Sequence, residues 1–381
     1  MTDSRDFDVV VYGASGYTGR LVAEYMAKQY PKDSGIRWAM AGRNKSKLEQ
    51  VRDEVGAPSD TPLVVADASD PASLDAMVKS AKVICTTVGP YQLYGEPLVA
   101  ACAKHGTGYV DLCGEPAWMR QMIDAYLEDA KKSGAHIVFS CGFDSIPFDM
   151  GVFFLQENAK KTLGAMCPRV RGRVRAMQGG FSGGTAASLG ATMAAAAKNP
   201  EIPKLLMNPF ALAPGFQGPA QPDDSKPLLD ESLNMWVAPF IMAPINTKNV
   251  HRSNFLLGHA YGKDFRYDEM MITGPGDAGK QMADALLTAN PLAGPDVPKP
   301  GEGPTKEERE AGHYDVLCIG ESADGKTIKA GVTGDKDPGY GSTSKMMAEA
   351  AVCLAREIDA PGGSYTPAAI FGMKLIDRLR K

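Results

Sequence analysis

The sequence lacks the features that would place it in a membrane, in a secreted disulfide-rich class or around a zinc ion. No apolar run among its 381 residues approaches the roughly 20 residues of a membrane-spanning helix, and residues 1–6 are polar, without a signal-peptide core. The seven cysteines are odd in number, widely separated and without a C-x-x-C pair, which favours reduced thiols over disulfides or zinc. We therefore expect a soluble, cytoplasmic protein.

An excess of positive charge is missing as well. The formal net charge of −4 gives no basic surface for nucleic acid, so any anion site must be local. No serine nucleophile elbow, cluster of metal ligands or pair of catalytic acids stands out, and we expect neither a metal site nor a nucleic-acid partner. With 44% hydrophobic residues, the chain is long enough for two or three domains with real cores.

What the sequence does contain is a strand, a tight turn and a helix in direct succession. The apolar run from Phe7 to Tyr12 leads into glycines at three-residue spacing, and a helical apolar period follows from Arg20. Such a turn leaves backbone N–H groups unpaired at a helix N-terminus, where the aligned dipoles favour a pyrophosphate. The pattern predicts a dinucleotide site, and the alternative is a glycine-rich turn in an ordinary α/β domain. The residues assigned to the turn are Gly13, Ser15, Gly16, Tyr17, Thr18 and Gly19.

The residues after the second predicted strand, Ile36 to Ala41, indicate which dinucleotide is bound. NAD-selective domains hold the ribose 2′-OH with a carboxylate at this point, whereas an arginine accommodates the 2′-phosphate of NADP. Here Arg43 and Ser46 follow the strand, and no carboxylate occurs before Glu49. We predict NADP(H), the alternative being a solvated helix start. After the third predicted strand, Asp67 and Ala68 are assigned to the neighbourhood of the adenine.

The turn after the fourth predicted strand is expected to lie beside the nicotinamide. Ligands bind at the carboxyl ends of parallel strands, which places Val88, Gly89 and Pro90 near the pyrophosphate or the nicotinamide ribose. The catalytic candidates at this edge are Tyr91, Tyr94 and Asp144. A phenol stays protonated at neutral pH, so a tyrosine suits the role of proton donor or oxyanion ligand. Nothing in the sequence selects between the two tyrosines. A thiol nucleophile at Cys141 is a weaker alternative to a buried structural cysteine there.

Several segments together resemble the saccharopine-dehydrogenase-like oxidoreductases, in the branch that includes bacterial trans-acting enoyl reductases of polyketide lipid synthesis. They span nearly the whole chain and are jointly more specific than the three glycines alone. The matching segments are residues 13–19, 41–43, 88–91 with Gly95, 109–112 with 114–115, 141–147 and 337–343.

The resemblance implies an α/β fold in which a Rossmann-type doubly wound parallel sheet is followed by an inserted mixed α/β domain and C-terminal helices that return to the first domain. We place the boundaries at 1–145, 146–340 and 341–381. The implied activity is NADP-dependent reduction of a carbon–carbon double bond in an acyl or polyketide thioester, free or bound to a carrier protein. Two alternatives stay open: reduction of an imine or carbonyl in an amino-acid-like substrate, and a lipid-associated NADP-binding protein without turnover.

Two charged patterns in the second half have a structural and a functional interpretation. Arg169, Arg171, Arg173 and Arg175 alternate with small or apolar residues, so a strand would place all four on one face, either solvated or receiving an anion. Lys374, Arg378 and Lys381 fall on one side of a last helix, which either complements the helix dipole or contacts a lipid surface. The apolar segments of the second domain leave a homodimer open.

Overall fold

Two β-sheets of different character organise the described part of the chain. The structure is a computed structural model that describes residues 5–143, 145–289, 298–299 and 301–381. The first sheet has seven parallel strands in the order β13-β6-β5-β4-β1-β2-β3, which contains the Rossmann order with one strand added at the edge. The second has six strands in the order β12-β11-β7-β10-β9-β8, of which β7 and β10 are parallel and the other pairs antiparallel. The predicted α/β class is confirmed.

The strands of the first sheet alternate with helices along the chain. They are β1 Phe7–Tyr12, β2 Trp38–Gly42, β3 Leu63–Val65, β4 Ala81–Thr86, β5 Gly108–Val110, β6 His136–Val138 and β13 Gly363–Tyr365. The helices between them are α1 Tyr17–Gln29, α2 Lys45–Glu54, α3 Pro71–Ser80, α4 Tyr91–Tyr94, α5 Glu96–His105 and α6 Pro116–Ser133, with a 3₁₀ turn at Lys32–Ser34. Helices cover both faces of this sheet, so a central strand such as β1 is apolar except for Asp8 and is almost wholly buried.

The second sheet is built from the middle of the chain. Its strands are β7 Arg169–Gln178, β8 Leu228–Asp230, β9 Met235–Pro239, β10 Arg266–Gly274, β11 His313–Glu321 and β12 Thr327–Gly334. Its helices are α7 Ile146–Thr162, α8 Gly183–Lys198, α9 Glu201–Met207, α10 Ala243–Leu256, α11 Gly276–Thr288 and α12 Lys306–Ala311. Asp324 and Gly325 between two apolar, strand-like runs predict a hairpin. The structure confirms it, because β11 and β12 pair antiparallel from Tyr314 to Glu321.

The C-terminal segment packs back on the first sheet. A π-helical turn, Pro338–Ser342, leads into α13 Thr343–Arg356, and α14 Pro367–Phe371 and α15 Met373–Leu379 follow β13. Met347, Ala351 and Leu354 of α13 share a buried face, as their spacing predicts. The sequence pattern predicts one continuous last helix, but Gly372 at φ +51° divides it into two.

The arginines of β7 are paired with carboxylates. Arg173 is 2% exposed and bonds Asp230 and Asp268, at 2.8 and 2.7 Å. Arg169 also contacts Asp268, Arg171 lies 3.6 Å from Glu321, and Arg175 lies 2.7 Å from Asp315. The solvated-face interpretation is therefore wrong at Arg173, which is buried. The anion-binding interpretation loses its basis at Arg173, whose guanidinium already has two acidic partners.

Two smaller sequence expectations also change. The sequence predicts Thr185 as a helix cap, but α8 begins earlier, at Gly183, with Ser182 at its N-cap position. The helical spacing predicts Arg378 on a charged outer face, yet its guanidinium bonds Glu349 at 2.7 Å and also pairs with Glu357. This pairing favours a structural role for Arg378 over contact with lipid headgroups.

Candidate nucleotide and substrate site

The glycine turn joins β1 to α1 and presents free backbone donors. The N–H groups of Gly13 and Ala14 both donate to the carbonyl of Ala41 at the end of β2, at 2.9 and 3.1 Å. Gly16 donates back to the Gly13 carbonyl, and Gly16 then accepts the first helical bond, from Arg20. The first-turn N–H groups of α1 therefore have no helical partners, and no side chain caps them. A pyrophosphate is the ligand that such a terminus favours.

The glycines of this turn occupy positions that leave little room for a side chain. A Cβ added to Gly19 would lie 2.1 Å from the Gly13 carbonyl oxygen, and one on Gly13, at φ +88°, would lie 2.7 Å from the Thr87 hydroxyl oxygen. A Cβ on Gly16 would lie 3.3 Å from the Gly13 oxygen. The turn is thus kept clear of side chains where the helix packs on the strand, and the residues present fit a dinucleotide phosphate.

The residues assigned to the adenosine end lie together at the neighbouring strand ends. Arg43 and Ser46 are exposed at the start of α2, which Asn44 caps by accepting from the Lys47 N–H at 3.0 Å. Hydrogen bonds from the N–H and hydroxyl of Ser69 lower the pKa of Asp67, and the nearby Arg43 guanidinium lowers it further.

Tyr12 joins this group from the end of β1. Burial and the charge of Asp67 raise its pKa to about 12, against the opposing effects of Arg43 and of a hydrogen bond to the Ala68 backbone. The sequence reasoning did not assign Tyr12 to the site. Arg43, with no ion pair to another described residue, is free to meet a phosphate.

The Val88–Pro90 turn leads directly from β4 into α4. The Val88 N–H donates to the Thr86 hydroxyl at 3.2 Å, and Gly89 is exposed. Two large side chains of α4 are also exposed, Leu93 at 61% and Tyr94 at 49%. The Gln92 amide donates to the Thr192 hydroxyl of α8 at 3.1 Å, which brings α4 and α8 side by side.

The two candidate tyrosines occupy very different surroundings. The Tyr91 hydroxyl is buried, donates to the Thr86 carbonyl at 3.2 Å and accepts from the Leu112 N–H at 3.4 Å. Burial raises its pKa well above the usual value. Tyr94, one turn later, is half exposed, and its hydroxyl forms no hydrogen bond with another described residue. Tyr91 is therefore tied into the sheet, whereas Tyr94 is accessible to a ligand.

Glu115 fixes the position of α4. Its two carboxylate oxygens accept from the N–H groups of Tyr91 and Gln92, both at 2.9 Å, so a charge satisfies the first donors of this short helix. Asp144 lies outside the described residues. Burial raises the pKa of the Cys141 thiol well above its usual value, which favours a structural cysteine over a nucleophile.

The start of α1 contacts α12 and the π-helical turn beside the glycine turn. The rings of Tyr17 and Tyr340 meet edge to face with centroids 5.1 Å apart, and Arg309 donates to the Tyr17 hydroxyl at 3.2 Å. The Tyr340 hydroxyl bonds the Ser182 N–H and the Thr185 hydroxyl at the start of α8. We call Tyr17, Arg309 and Tyr340 the aromatic clasp. The residues around 337–343 form a recognisable pattern, but nothing in it indicates this contact.

Comparisons with known proteins agree with this geometry. Residues 9–138 match the family model described as the saccharopine dehydrogenase NADP binding domain. Proteins named trans-acting enoyl reductase from Mycobacterium ulcerans strain Agy99 and Mycobacterium tuberculosis strain H37Rv are 39% and 37% identical, each over 98% of this chain and 96% of its own length. A second protein of that M. tuberculosis strain, whose name also contains the words trans-acting enoyl reductase, is 40% identical over 98% of this chain and 96% of its own length.

The chain belongs to the saccharopine-dehydrogenase-like oxidoreductases, in the branch of the trans-acting enoyl reductases. The solved structure of a saccharopine dehydrogenase (L-Glu forming) from Saccharomyces cerevisiae shares its fold, with a TM-score of 0.53 and 11% identity over 98% of this chain and 96% of the other. The family model and the mycobacterial relatives, not this shared fold, make the chain an NADP-dependent oxidoreductase, as predicted.

The described residues form no metal-binding cluster, no membrane-spanning helix and no disulfide bond. No helix in them combines the length and the hydropathy needed to cross a membrane. No cluster of three or more histidine, cysteine or acidic side chains there is arranged to hold a metal ion. Each of the seven cysteines is buried and free of a disulfide bond.

Proposed function

We propose that this oxidoreductase reduces the carbon–carbon double bond of an acyl or polyketide thioester in lipid synthesis. The observation that carries the proposal is the exposed apolar surface beside the Val88–Pro90 turn. Helices α4 and α8 meet here through the hydrogen bond from Gln92 to Thr192. Helix α4 exposes Leu93 and Tyr94, and α8 exposes Leu189 and Met193 at 42% and 63%. A hydrocarbon chain gains free energy from covering such a surface. The names of the mycobacterial relatives support the same reaction.

The charge of this surface argues against the amino-acid alternative. A substrate with charged groups at both ends needs several fixed ionic partners. Helix α4 carries no charged residue, and α8 carries none before Lys198. The surface therefore suits an acyl chain better than a saccharopine-like substrate. An NADP-binding protein without turnover is the remaining alternative, and it predicts no NADPH oxidation with any enoyl thioester.

In the proposed mechanism NADPH supplies the hydride, and the chain's own residues position the reactants and move a proton. The glycine turn would hold the pyrophosphate, and Arg43 with Ser46 the 2′-phosphate. The Val88–Pro90 turn would form the floor under the reacting atoms. We assign the proton donor to the Tyr94 phenol, because the Tyr91 hydroxyl is already engaged with Thr86 and Leu112. A delivered proton must reach the carbon next to the thioester carbonyl.

Arg43→Ala is expected to lower the affinity for NADPH by about tenfold or more, which corresponds to about 1.4 kcal/mol. The guanidinium meets only the 2′-phosphate in our assignment, so NADH affinity should change little. Titration followed by nicotinamide fluorescence measures both. Lys263→Ala, which removes an exposed cation from the second half of the chain, serves as the control. Equal losses for NADPH and NADH would remove Arg43 from the 2′-phosphate site.

Tyr94→Phe is expected to reduce kcat for a trans-2-enoyl thioester by about 100-fold or more, the usual contribution of a general acid. Tyr91→Phe is the matched control, because it also deletes one phenol oxygen from α4 but from a buried structural bond. It should cost about 1 kcal/mol of unfolding free energy and leave kcat within a few-fold. NADPH oxidation, followed by the loss of its near-ultraviolet absorbance, and urea unfolding provide the two readouts. The reverse ranking would transfer the role to Tyr91.

A further inference from the structure

A groove lies along α1, apart from the proposed hydride site beside the Val88–Pro90 turn. It encloses about 1050 Å³ between α1, α7, α13, α15 and the end of β12. Its lining begins at Leu21 and continues to Tyr30, so it follows most of a helix that is 13 residues and about 20 Å long. The Val88–Pro90 turn is not part of the lining. The groove is therefore separate from the proposed hydride site.

The floor of the groove is apolar. It is formed by Leu21, Met150, Phe154, Val332, Ile376 and Leu379. These side chains come from both halves of the chain. Leu21 and Met150 are only 6% and 4% exposed, and the other four are half-buried, with the Arg380 guanidinium over the Phe154 ring. At about 1050 Å³, the volume is at the upper end of what small-molecule sites enclose. It is large enough for an extended hydrocarbon chain.

Basic side chains predominate along the groove. Eight lining residues are lysine or arginine and four are aspartate or glutamate, in a chain whose overall net charge is −4. Glu349, the buried acid of the lining, is already neutralised, because its carboxylate accepts from Tyr25, Tyr30 and Arg378 at 2.7 to 2.9 Å. Lys336 and Lys345 form no ion pair with another described residue. The groove therefore offers free positive charge beside an apolar floor.

We propose that this groove binds an anionic single-chain amphiphile, with its hydrocarbon chain on the apolar floor and its anionic head at Lys336 and Lys345. A fatty acid and a long-chain acyl thioester of coenzyme A share this chemistry, and both are tested below. The charge complementarity is local, because the rest of the chain carries an excess of acidic residues. This second lipid site does not depend on which substrate is reduced at the Val88–Pro90 turn.

The test is calorimetric titration of the full chain with dodecanoate, with dodecanoyl-CoA and with coenzyme A alone, each below its critical micelle concentration. We expect saturable binding of at least one chain-bearing probe and at least tenfold weaker binding of coenzyme A alone. Binding of dodecanoate alone identifies a free fatty acid as the ligand, binding of dodecanoyl-CoA alone identifies a thioester, and binding of both identifies the acyl chain with either head. Binding of neither overturns the proposal.

Variants locate the bound probe. Leu379→Asp places a negative charge on the floor and should weaken binding of the probe by tenfold or more. Leu379→Trp keeps an apolar side chain but fills the groove, and it should weaken binding by a similar factor. The double variant Lys336→Glu and Lys345→Glu should weaken binding by at least fivefold, whereas Lys132→Glu, an exposed lysine on α6, should not. Unchanged affinity in both Leu379 variants, with melting temperatures near that of the unmodified protein, would overturn the proposal.

The groove and the hydride site can fail separately. NADPH oxidation with a short enoyl thioester, too short to need the groove, should persist in both Leu379 variants and fall by about 100-fold or more in Tyr94→Phe. Dodecanoate binding should show the opposite pattern. Loss of probe binding in Tyr94→Phe but not in the Leu379 variants would assign the amphiphile to the cleft beside α4 and contradict the second site.

Discussion

Gly19→Ala is expected to weaken NADPH binding by about 30-fold or more, which corresponds to about 2 kcal/mol. The added Cβ would lie 2.1 Å from the Gly13 carbonyl oxygen, a backbone atom that cannot rotate away. Helix α1 must then move off β1, and its N-terminal N–H groups no longer converge on one pyrophosphate. The same displacement should lower the free energy of unfolding by about 1–3 kcal/mol. Fluorescence titration and urea unfolding measure the two effects.

Gly190→Ala is the matched control for this experiment. Gly190 is exposed in the middle of α8, and a Cβ there meets no atom within 4 Å. Alanine is favoured over glycine inside a helix by about 1 kcal/mol, so this variant should be as stable as the unmodified protein or more so, with unchanged NADPH affinity. If Gly19→Ala binds NADPH as tightly as Gly190→Ala does, the pyrophosphate does not lie on this turn.

Arg173→Met is expected to cost about 3–5 kcal/mol of unfolding free energy. The variant keeps a long apolar stem but leaves the buried Asp230 without a cation and leaves Asp268 with Arg169 alone. Burial raises the pKa of Asp230, but the Ser232 hydroxyl and Arg173 overcome this effect and hold it below the usual value. A lowered carboxyl pKa gives stability that is present above about pH 4 and is lost as the pH falls through the folded value. The deficit of the variant should therefore shrink in acid.

Arg175→Met tests whether burial, and not the presence of an ion pair, sets this cost. Arg175 is 43% exposed and its partner Asp315 is 31% exposed, so water screens the pair and its loss should cost less than about 1 kcal/mol. Urea unfolding at neutral pH compares the two variants. Similar small losses at both positions would mean that Arg173 is not needed to neutralise the buried carboxylates.

The sequence is most informative where one local motif determines one local structure. The glycine spacing predicts the β1 turn, and the Rossmann order of the first six parallel strands follows from their alternation with helices. The adenosine-end residues Arg43, Asp67 and Ala68 lie close together because each follows a neighbouring strand. Their contacts with the nucleotide, like the three domain boundaries, stay predictions.

Long-range pairing is what the sequence could not reveal. Alternation along β7 predicts that its arginines share a face. It does not indicate that Arg173 pairs with Asp230 and Asp268, which lie 57 and 95 residues away in the sequence. The aromatic clasp joins Tyr17 to Tyr340 across the whole chain. The sequence alone does not distinguish Tyr91 from Tyr94. Only the packing around α4 shows that the Tyr91 hydroxyl is buried and that Tyr94 is exposed. Residues that meet only through tertiary packing leave no periodic pattern in the sequence around either of them.

The return of the chain to the first sheet links the order of synthesis to the order of folding. Strand β13 pairs with β6, and α13 packs on β1, β4 and β5, so residues 343–365 complete a core that begins at residue 7. While the ribosome is still making the middle of the chain, the nucleotide half lacks an edge strand and one covering helix. Its exposed apolar strands must then wait until residues 343–365 have been synthesised. Nascent chains stalled before residue 343 should accordingly depend on chaperones more than the finished protein does.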